Sequence, residues 1–376
     1  MRRGAGAQTE GMPSLTATAL AGLPEVAQGV DLTSLIIDAL QDNGIHLDEP
    51  MVVVLSSKIV SKALGLRSTD ARDSVIDAQT VRVVAERATS DRITRIVEAA
   101  AGPVMAAAGV DASNVGSAGG VLVLPTNCDA EAASLRDNII RGMPGIGEIP
   151  LGVIISDTAG RPWRAGQTDF ALGSAGIWPM LDHQGDVDHD GRPLSVTSRC
   201  LVDQLAAMAD LVKGKADGLP VAVIRGCPQG WFDPDAPGAR TVVRTGSTDW
   251  FSLGHVEAVR ASLGVAPGTP SARKVGIRRI DRESQEDRAL RALAVARHGE
   301  VTRGVDVDVD LTRSEIRVRA ADPFAAGRFI ARLEVALWSE DLSFDPPVAL
   351  QDGAWQLPLR TGQLQRSLKT PTPPAD

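Results

Sequence analysis

The stretch Met51-Val52-Val53-Val54-Leu55-Ser56-Ser57-Lys58-Ile59-Val60-Ser61-Lys62 decides the fold class. Its first five residues are apolar without alternation, the pattern of a strand buried on both faces. Such a strand needs a layer on each side, so helices must flank it. Upstream, Asp31 can cap a helix whose apolar residues Leu32, Leu35, Ile36, Ala39 and Leu40 recur at helical spacing. Downstream, Val81 to Arg87 reads as helical, Ile93 to Val97 as a short strand and Ala132 to Arg141 as a helix. Val121 to Leu124 and Leu151 to Ser156 are further buried strands, and Cys200 to Val212 is a helix followed by a strand from Pro220 to Ile224. Strands interleaved with helices indicate an α/β domain, ending near residue 250.

Beyond Ser252 the pattern changes. Pro267, Gly268 and Pro270 mark a linker, and Arg288 to Arg297 is helical. Val305 to Leu311 alternates apolar residues with Asp, and Ile316 to Arg319 alternates after a Thr-Arg-Ser turn, which together make a half-exposed hairpin. Pro323 to Trp338 is an amphipathic helix with proline at its start. Residues 272–362 thus form a small α+β domain, while residues 1–20 and 363–376 are expected to be disordered. The acidic hairpin and the segment around Arg278, Arg279 and Arg282 read as solvated faces, with an interface as the alternative.

The 376 residues carry 39 Lys plus Arg against 47 Asp plus Glu, a net charge of -8. No global positive field draws the chain to nucleic acid or to an anionic membrane, and with 3% aromatic residues it lacks a stacking platform for bases. No run approaches the roughly 18 to 20 apolar residues of a membrane span, and no signal-peptide run follows Met1, so a cytoplasmic location is expected. Cys128, Cys200 and Cys227 are too scattered for a metal site or a disulfide framework and read as reduced thiols. His183 and His189 fit no standard zinc spacing. Of the cations only six are Lys against 33 Arg, yet four of the six fall in two clusters, Lys58 with Lys62 and Lys213 with Lys215. Lysine is a compact point charge that reaches a phosphate oxygen without fork geometry, so the clusters stand either for an anion site or for a solvated face.

No phosphate loop of the G-x-x-x-x-G-K-[ST] type occurs, and the Gly116 to Gly120 segment precedes a strand, the wrong order for a dinucleotide fingerprint. Three segments place hard oxygens, amides or cations in a loop beside an apolar element: Ser56 to Lys62, Ala107 to Asn114, and Ser156 to Asp169. Asp157 lies at the end of an apolar strand, where ligands bind in α/β folds. With Thr158 it offers the oxygens that Mg²⁺ or Mn²⁺ prefers. Arg161, Arg164, Gln167 and Thr168 then supply donors to an anion. An Asx turn with a salt-bridged loop accounts for the same residues, and Asp111 and Asn114 have the same two readings.

Five motifs resolve this ambiguity by resemblance. GLPE (Gly22 to Glu25), SSKIVSK (Ser56 to Lys62), AAAGVDASNV (Ala106 to Val115), SDTAGRPWRAGQTD (Ser156 to Asp169) and DLVKGKADGLPVAVIRG (Asp210 to Gly226) follow the order and spacing of the CofE family. These are coenzyme F420-0:L-glutamate ligases, and the first half of mycobacterial FbiB is similar. The resemblance covers residues 21–254 and implies a two-lobed α/β fold, a homodimer, and use of GTP with Mg²⁺ or Mn²⁺ and often K⁺. By motif it implies that Leu23, Pro24, Glu25, Val26, Ser57, Lys62 and Asn114 contact GTP, that Asp111, Asp157 and Thr158 hold metal, and that Lys62, Asp111 and Asp157 serve catalysis. Arg161, Arg164, Gln167 and Thr168 are then substrate-site candidates. The implied partners are F420-0, L-glutamate and GTP, with no nucleic acid and no membrane.

The sequence departs from the family pattern at Leu64, Ser198 and Gln204, each at a usual Glu position, at Asn127-Cys128 in place of Asp-Pro, and at Ala165 in place of Asn. The tail does not resemble the flavin-binding half of FbiB, so no flavin is expected. A ligase for another carboxylate acceptor, or a non-catalytic homologue that binds F420 or nucleotide, are the alternatives that the lost acidic groups raise.

Overall fold

A computed structural model describes residues 14–360, apart from residues 144–148, 185, 195–197, 282, 300–303 and 311–312. In chain order come β1 (Thr16–Ala19), α1 (Leu32–Asp42), β2 (Met51–Ser56), α2 (Ser57–Ala63), β3 (Arg67–Ser68), α3 (Arg72–Ala78), β4 (Thr80–Ala88), β5 (Ile93–Ala99), β6 (Val104–Ala106) and β7 (Val121–Leu122). Next are α4 (Cys128–Gly142), β8 (Leu151–Arg161), β9 (Arg164–Ala175), β10 (Met180–Asp182), β11 (Ser198–Cys200), α5 (Leu201–Lys213) and β12 (Val221–Arg225). The chain closes with α6 (His255–Ser262), α7 (Pro270–Val275), α8 (Gln285–Ala296), β13 (Val305–Asp310), β14 (Glu315–Ala320), α9 (Pro323–Ser339), β15 (Val348–Ala349) and β16 (Trp355–Pro358). Two compact units result: one takes the described residues of Met1–Val81 and Glu98–Thr248, the other those of Arg82–Val97 and Asp249–Asp376.

The first unit is built on a five-stranded sheet of order β1-β12-β2-β8-β9. β2 is central and fully buried, as its unbroken apolar run requires. Val52 and Val54 pack with Leu201, Leu205 and Ala209 of α5, while Met51, Val53 and Leu55 alternate to the other face. Each such side chain contributes on the order of 1.5–3 kcal/mol by leaving water. α4 packs on β8 and β9, and α1 packs on α4. Strand direction decides where the connecting loops gather. β2 and β8 are parallel, with Ser56 opposite Ser156, whereas β12 runs antiparallel to both β2 and β1. The ends of β1, β2 and β8 and the start of β12 therefore share one edge of the sheet.

The mixed α/β class agrees with the sequence reading, but several segments differ. Val81 to Arg87 is part of strand β4, not a helix. Its β-branched Val81, Val83 and Val84 suit a strand, and buried Glu86 pairs with Arg95 of β5 at 3.0 Å and accepts from Gly268 N at 2.9 Å. The Ser156 to Asp169 segment is not a loop: β8 and β9 run through it as a hairpin that turns at Pro162 and Trp163. The leader expected over residues 1–20 contains β1, which pairs with β12 over Thr16–Ala19, while residues 1–13 lie outside the described residues. Cys128 and Cys227 are buried free thiols, and burial pushes them up to about 12 and about 11.

The second unit joins the β4–β5 turn to the tail, with Ala88 N donating to Arg278 O and Gly254 N to Val84 O, each at 2.9 Å. Its antiparallel sheet has the order β13-β14-β16-β15. Val305, Val307 and Val309 pack on the core while the Asp residues between them face outward, opposite Arg317 and Arg319. Leu311 of the expected hairpin and the tail beyond residue 360 lie outside the described residues. Among the described residues, no helix is long and apolar enough to cross a membrane.

Candidate active site

Four segments leave the shared sheet edge and enclose a cavity of about 410 Å³. The loop after β1 contributes Leu23, Pro24, Glu25 and Val26. Where β2 ends, Ser56 caps α2, its Oγ accepting from Lys58 N, and this short helix presents Lys58 and Lys62. β8 supplies Asp157 and Thr158, with Asp169 opposite on β9, since Thr158 and Asp169 are register partners. The end of α5 and the turn before β12 bring Lys213 and Lys215, with Asp210 one helical turn back. Asn114 and Gly116 close the wall, both at positive φ.

All four clustered lysines thus line one cavity, and each is met by a carboxylate. Lys58 Nζ lies 2.8 Å from Asp111 Oδ2, and Lys62 Nζ 2.6 Å from Glu25 Oε1. Lys213 Nζ lies 2.8 Å from Asp169 Oδ2, and Lys215 Nζ 2.6 Å from Asp210 Oδ1. The Lys213–Asp169 pair is buried, and Ser156 Oγ donates to the same carboxylate at 2.8 Å. Burial would raise Asp169, but the Lys213 ammonium outweighs it and holds the carboxyl below its ordinary value. Thr158 Oγ1 donates to Asp169 Oδ1 at 2.5 Å and accepts from Lys215 Nζ at 2.7 Å.

Asp157 stands apart. Burial pushes it up to about 6, with Asp111 and Asp169 adding repulsion against the pull of Lys58. Asp111 has the opposite balance: burial is outweighed by Lys58 and by Ser113, whose N and Oγ donate to Oδ1 at 2.6 and 2.8 Å, so its carboxyl sits low. Two carboxylates and a hydroxyl are hard donors of the kind Mg²⁺ takes, one or two carboxylates being completed by substrate phosphate oxygens. Among the described residues no three His, Cys, Asp or Glu side chains converge on one point. Asp157 and Thr158 are the hard donors on the cavity wall that could help to hold such a cation, with the rest of its shell from elsewhere.

Of the residues singled out from the sequence, Leu23, Pro24, Glu25, Val26, Lys62, Asn114, Asp157 and Thr158 line the cavity. Asp111 reaches it through Lys58. Ser57 is buried behind the wall, its Oγ without a hydrogen-bond partner among the described residues. Arg161, Arg164, Gln167 and Thr168 lie farther along the β8–β9 arm and do not line the cavity. Asp169 and Asp210 escaped the sequence reading. The family departures at Leu64, Ala165, Ser198 and Gln204 all lie off the cavity wall, and Asn127 caps α4. A second hollow, in the second unit, about 520 Å³, is lined by Arg279 and Arg291, which already pair with Asp281 and Glu283.

The F420-0:Gamma-glutamyl ligase family model matches residues 22–226. The coenzyme F420:L-glutamate ligase of Methanothermobacter thermautotrophicus is 35% identical over 249 residues, 61% of this chain and 96% of that protein. The protein of that name from Haloarcula marismortui is 35% identical over 262 residues, 62% of this chain and 96% of its own length. That from Halobacterium salinarum is 35% identical over 231 residues, 56% of this chain and 86% of its own. With the match spanning the segments that build the cavity, the chain belongs to the F420-0:gamma-glutamyl ligase family.

Proposed function

We propose that this ligase, which forms a carbon–nitrogen bond, adds L-glutamate to coenzyme F420-0 at the expense of GTP. The observation that carries the reading is the convergence of four lysines with Asp111, Asp157 and Thr158 at one sheet edge. A carboxylate does not condense with an amine unaided. The terminal carboxylate of F420-0 attacks the γ-phosphate of GTP, giving an acyl phosphate and GDP. The amino group of L-glutamate then attacks the acyl carbon and phosphate leaves.

In such a transfer the protein's task is to position the reactants and to balance charge. Lys62 and its neighbours offset charge on the transferred phosphoryl group, and the Leu23–Val26 segment and Asn114 hold the nucleotide. Asp111, Asp157 and Thr158 would hold Mg²⁺ or Mn²⁺, which supplies Lewis-acid stabilisation when bound. The high Asp157 carboxyl supports a cation there, because a nearby positive charge relieves the burial that raises it.

The test is mass spectrometry of the purified chain incubated with F420-0, L-glutamate, GTP and Mn²⁺ or Mg²⁺. A product heavier by one or more glutamyl units, with matching GDP release, is expected. GTP binding without mass gain would point to another carboxylate acceptor, and absence of both to a non-catalytic homologue.

A further inference from the structure

Glu25 is the outlier among the carboxylates that meet the cavity lysines. The side chains of Asp169, Asp210 and Asp111 are 4%, 17% and 35% exposed, whereas that of Glu25 is 67% exposed and its partner Lys62 only 7%. An exposed carboxylate gains little from an ion pair. A buried ammonium, by contrast, needs a partner, and among the described residues Glu25 is the one Lys62 has. Glu25 also sits on the irregular segment between β1 and α1, where little secondary structure opposes a shift. The wall behind the pair is close. A Cβ at Gly116 would lie 2.6 Å from Glu25 Oε1 and 4.0 Å from Lys62 Nζ. A second anion cannot enter from that side.

We propose that Glu25 is a displaceable counter-anion, holding the Lys62 ammonium in position in the free protein and yielding that position to a phosphoryl oxygen of the bound nucleotide. This rests on the cavity being the GTP site. The exchange moves only the Glu25 side chain, while the rest of the Leu23–Val26 segment keeps its place on the cavity wall. Glu25 is then a positioning residue that the incoming ligand must outcompete.

Calorimetric titration of the full chain with GTP tests this. Glu25→Gln should bind GTP about fivefold more tightly, the upper end for a partly exposed ion pair. Glu25→Asp, one methylene shorter, should fall between Gln and wild type. Lys62→Met should weaken GTP, and adding Glu25→Gln to it should change nothing further, because the competition runs through Lys62. A Glu25→Gln variant that binds GTP equally or less well, beside a wild type that binds it, overturns the proposal and leaves the nucleotide reading standing. A wild type that binds no GTP overturns both.

Discussion

The first unit and the second each bury a network of ion pairs, but they draw on different cations. Around the cavity the cations are lysines, and their carboxylate partners differ widely in exposure. In the second unit, Arg291 makes paired bonds to Glu283 at 2.5 and 2.7 Å and reaches Glu340 at 2.5 Å. Arg260 pairs with the same Glu340, which is fully buried, and Arg288 donates to its backbone oxygen. A guanidinium fork matched to carboxylates leaves few donors open, so the network is closed. An ammonium is a point charge that can exchange one oxygen for another. In a chain with 33 Arg and six Lys, the Lys62–Glu25 pair, with its exposed carboxylate, is the one open to exchange, whereas Lys213–Asp169 and the Arg291 pairs are held by burial.

The largest expected effect is on turnover. Asp111→Asn with Asp157→Asn should lower ligation on the order of 10³-fold while hydrogen exchange of α8 and α9 stays as in wild type. Turnover that survived both changes would detach the chemistry from this cavity. Arg291→Met should do the reverse, costing about 3 kcal/mol or more by stranding buried carboxylates, read by denaturant unfolding, with GTP affinity unchanged. A loss of GTP affinity there would collapse the contrast between exchangeable and closed networks. A subtler comparison is Lys213→Arg, which overfills the buried site beside Asp169 and should cost about 1–3 kcal/mol, measured by thermal unfolding; a neutral result would mean the pocket has spare room.

The smallest effect is acid sensitivity of the second unit. Burial would raise Glu283 above its ordinary 4.5, but Arg291 outweighs it and holds the carboxyl lower. The unfolded chain then binds this proton more readily than the folded one, so the contribution is complete above 4.5 and fades as pH falls through the lower folded value. Glu283→Gln should flatten that part of the stability profile in acid titration of the unfolding midpoint; an unchanged slope would remove Glu283 from the closed network.

Much of the first unit was legible. The runs at Met51–Leu55 and Leu151–Ile155 could only be strands covered on both faces, and the helical spacing of Leu201, Leu205 and Ala209 set α5 against them. β4 was not legible, because its apolar residues also match a helical period and only the partners of Glu86 decide for a strand. The motifs carried most of the cavity residues. Asp169 became visible only through its register with Thr158, and the pairing of Glu25 with Lys62 across 37 positions has no local sequence signal. Arg278 and Arg279 looked like a solvated face, yet Arg278 pairs with Asp341 and donates to Ser339 O, and Arg279 pairs with Asp281. Arg282 lies outside the described residues.

The parallel pairing of β2 with β8 also bears on how the protein is made. Ser156 Oγ lies 3.3 Å from Leu55 O across 101 positions of sequence, so the two strand ends that carry the cavity meet only after a long loop has closed. Contacts of such separation are slow to form and arrive late. A ribosome-bound chain that has not yet emitted β8 has no cavity, and a ligand of that cavity would not assist its early collapse. Ligand enters the energetics only at the end, locking a topology already reached.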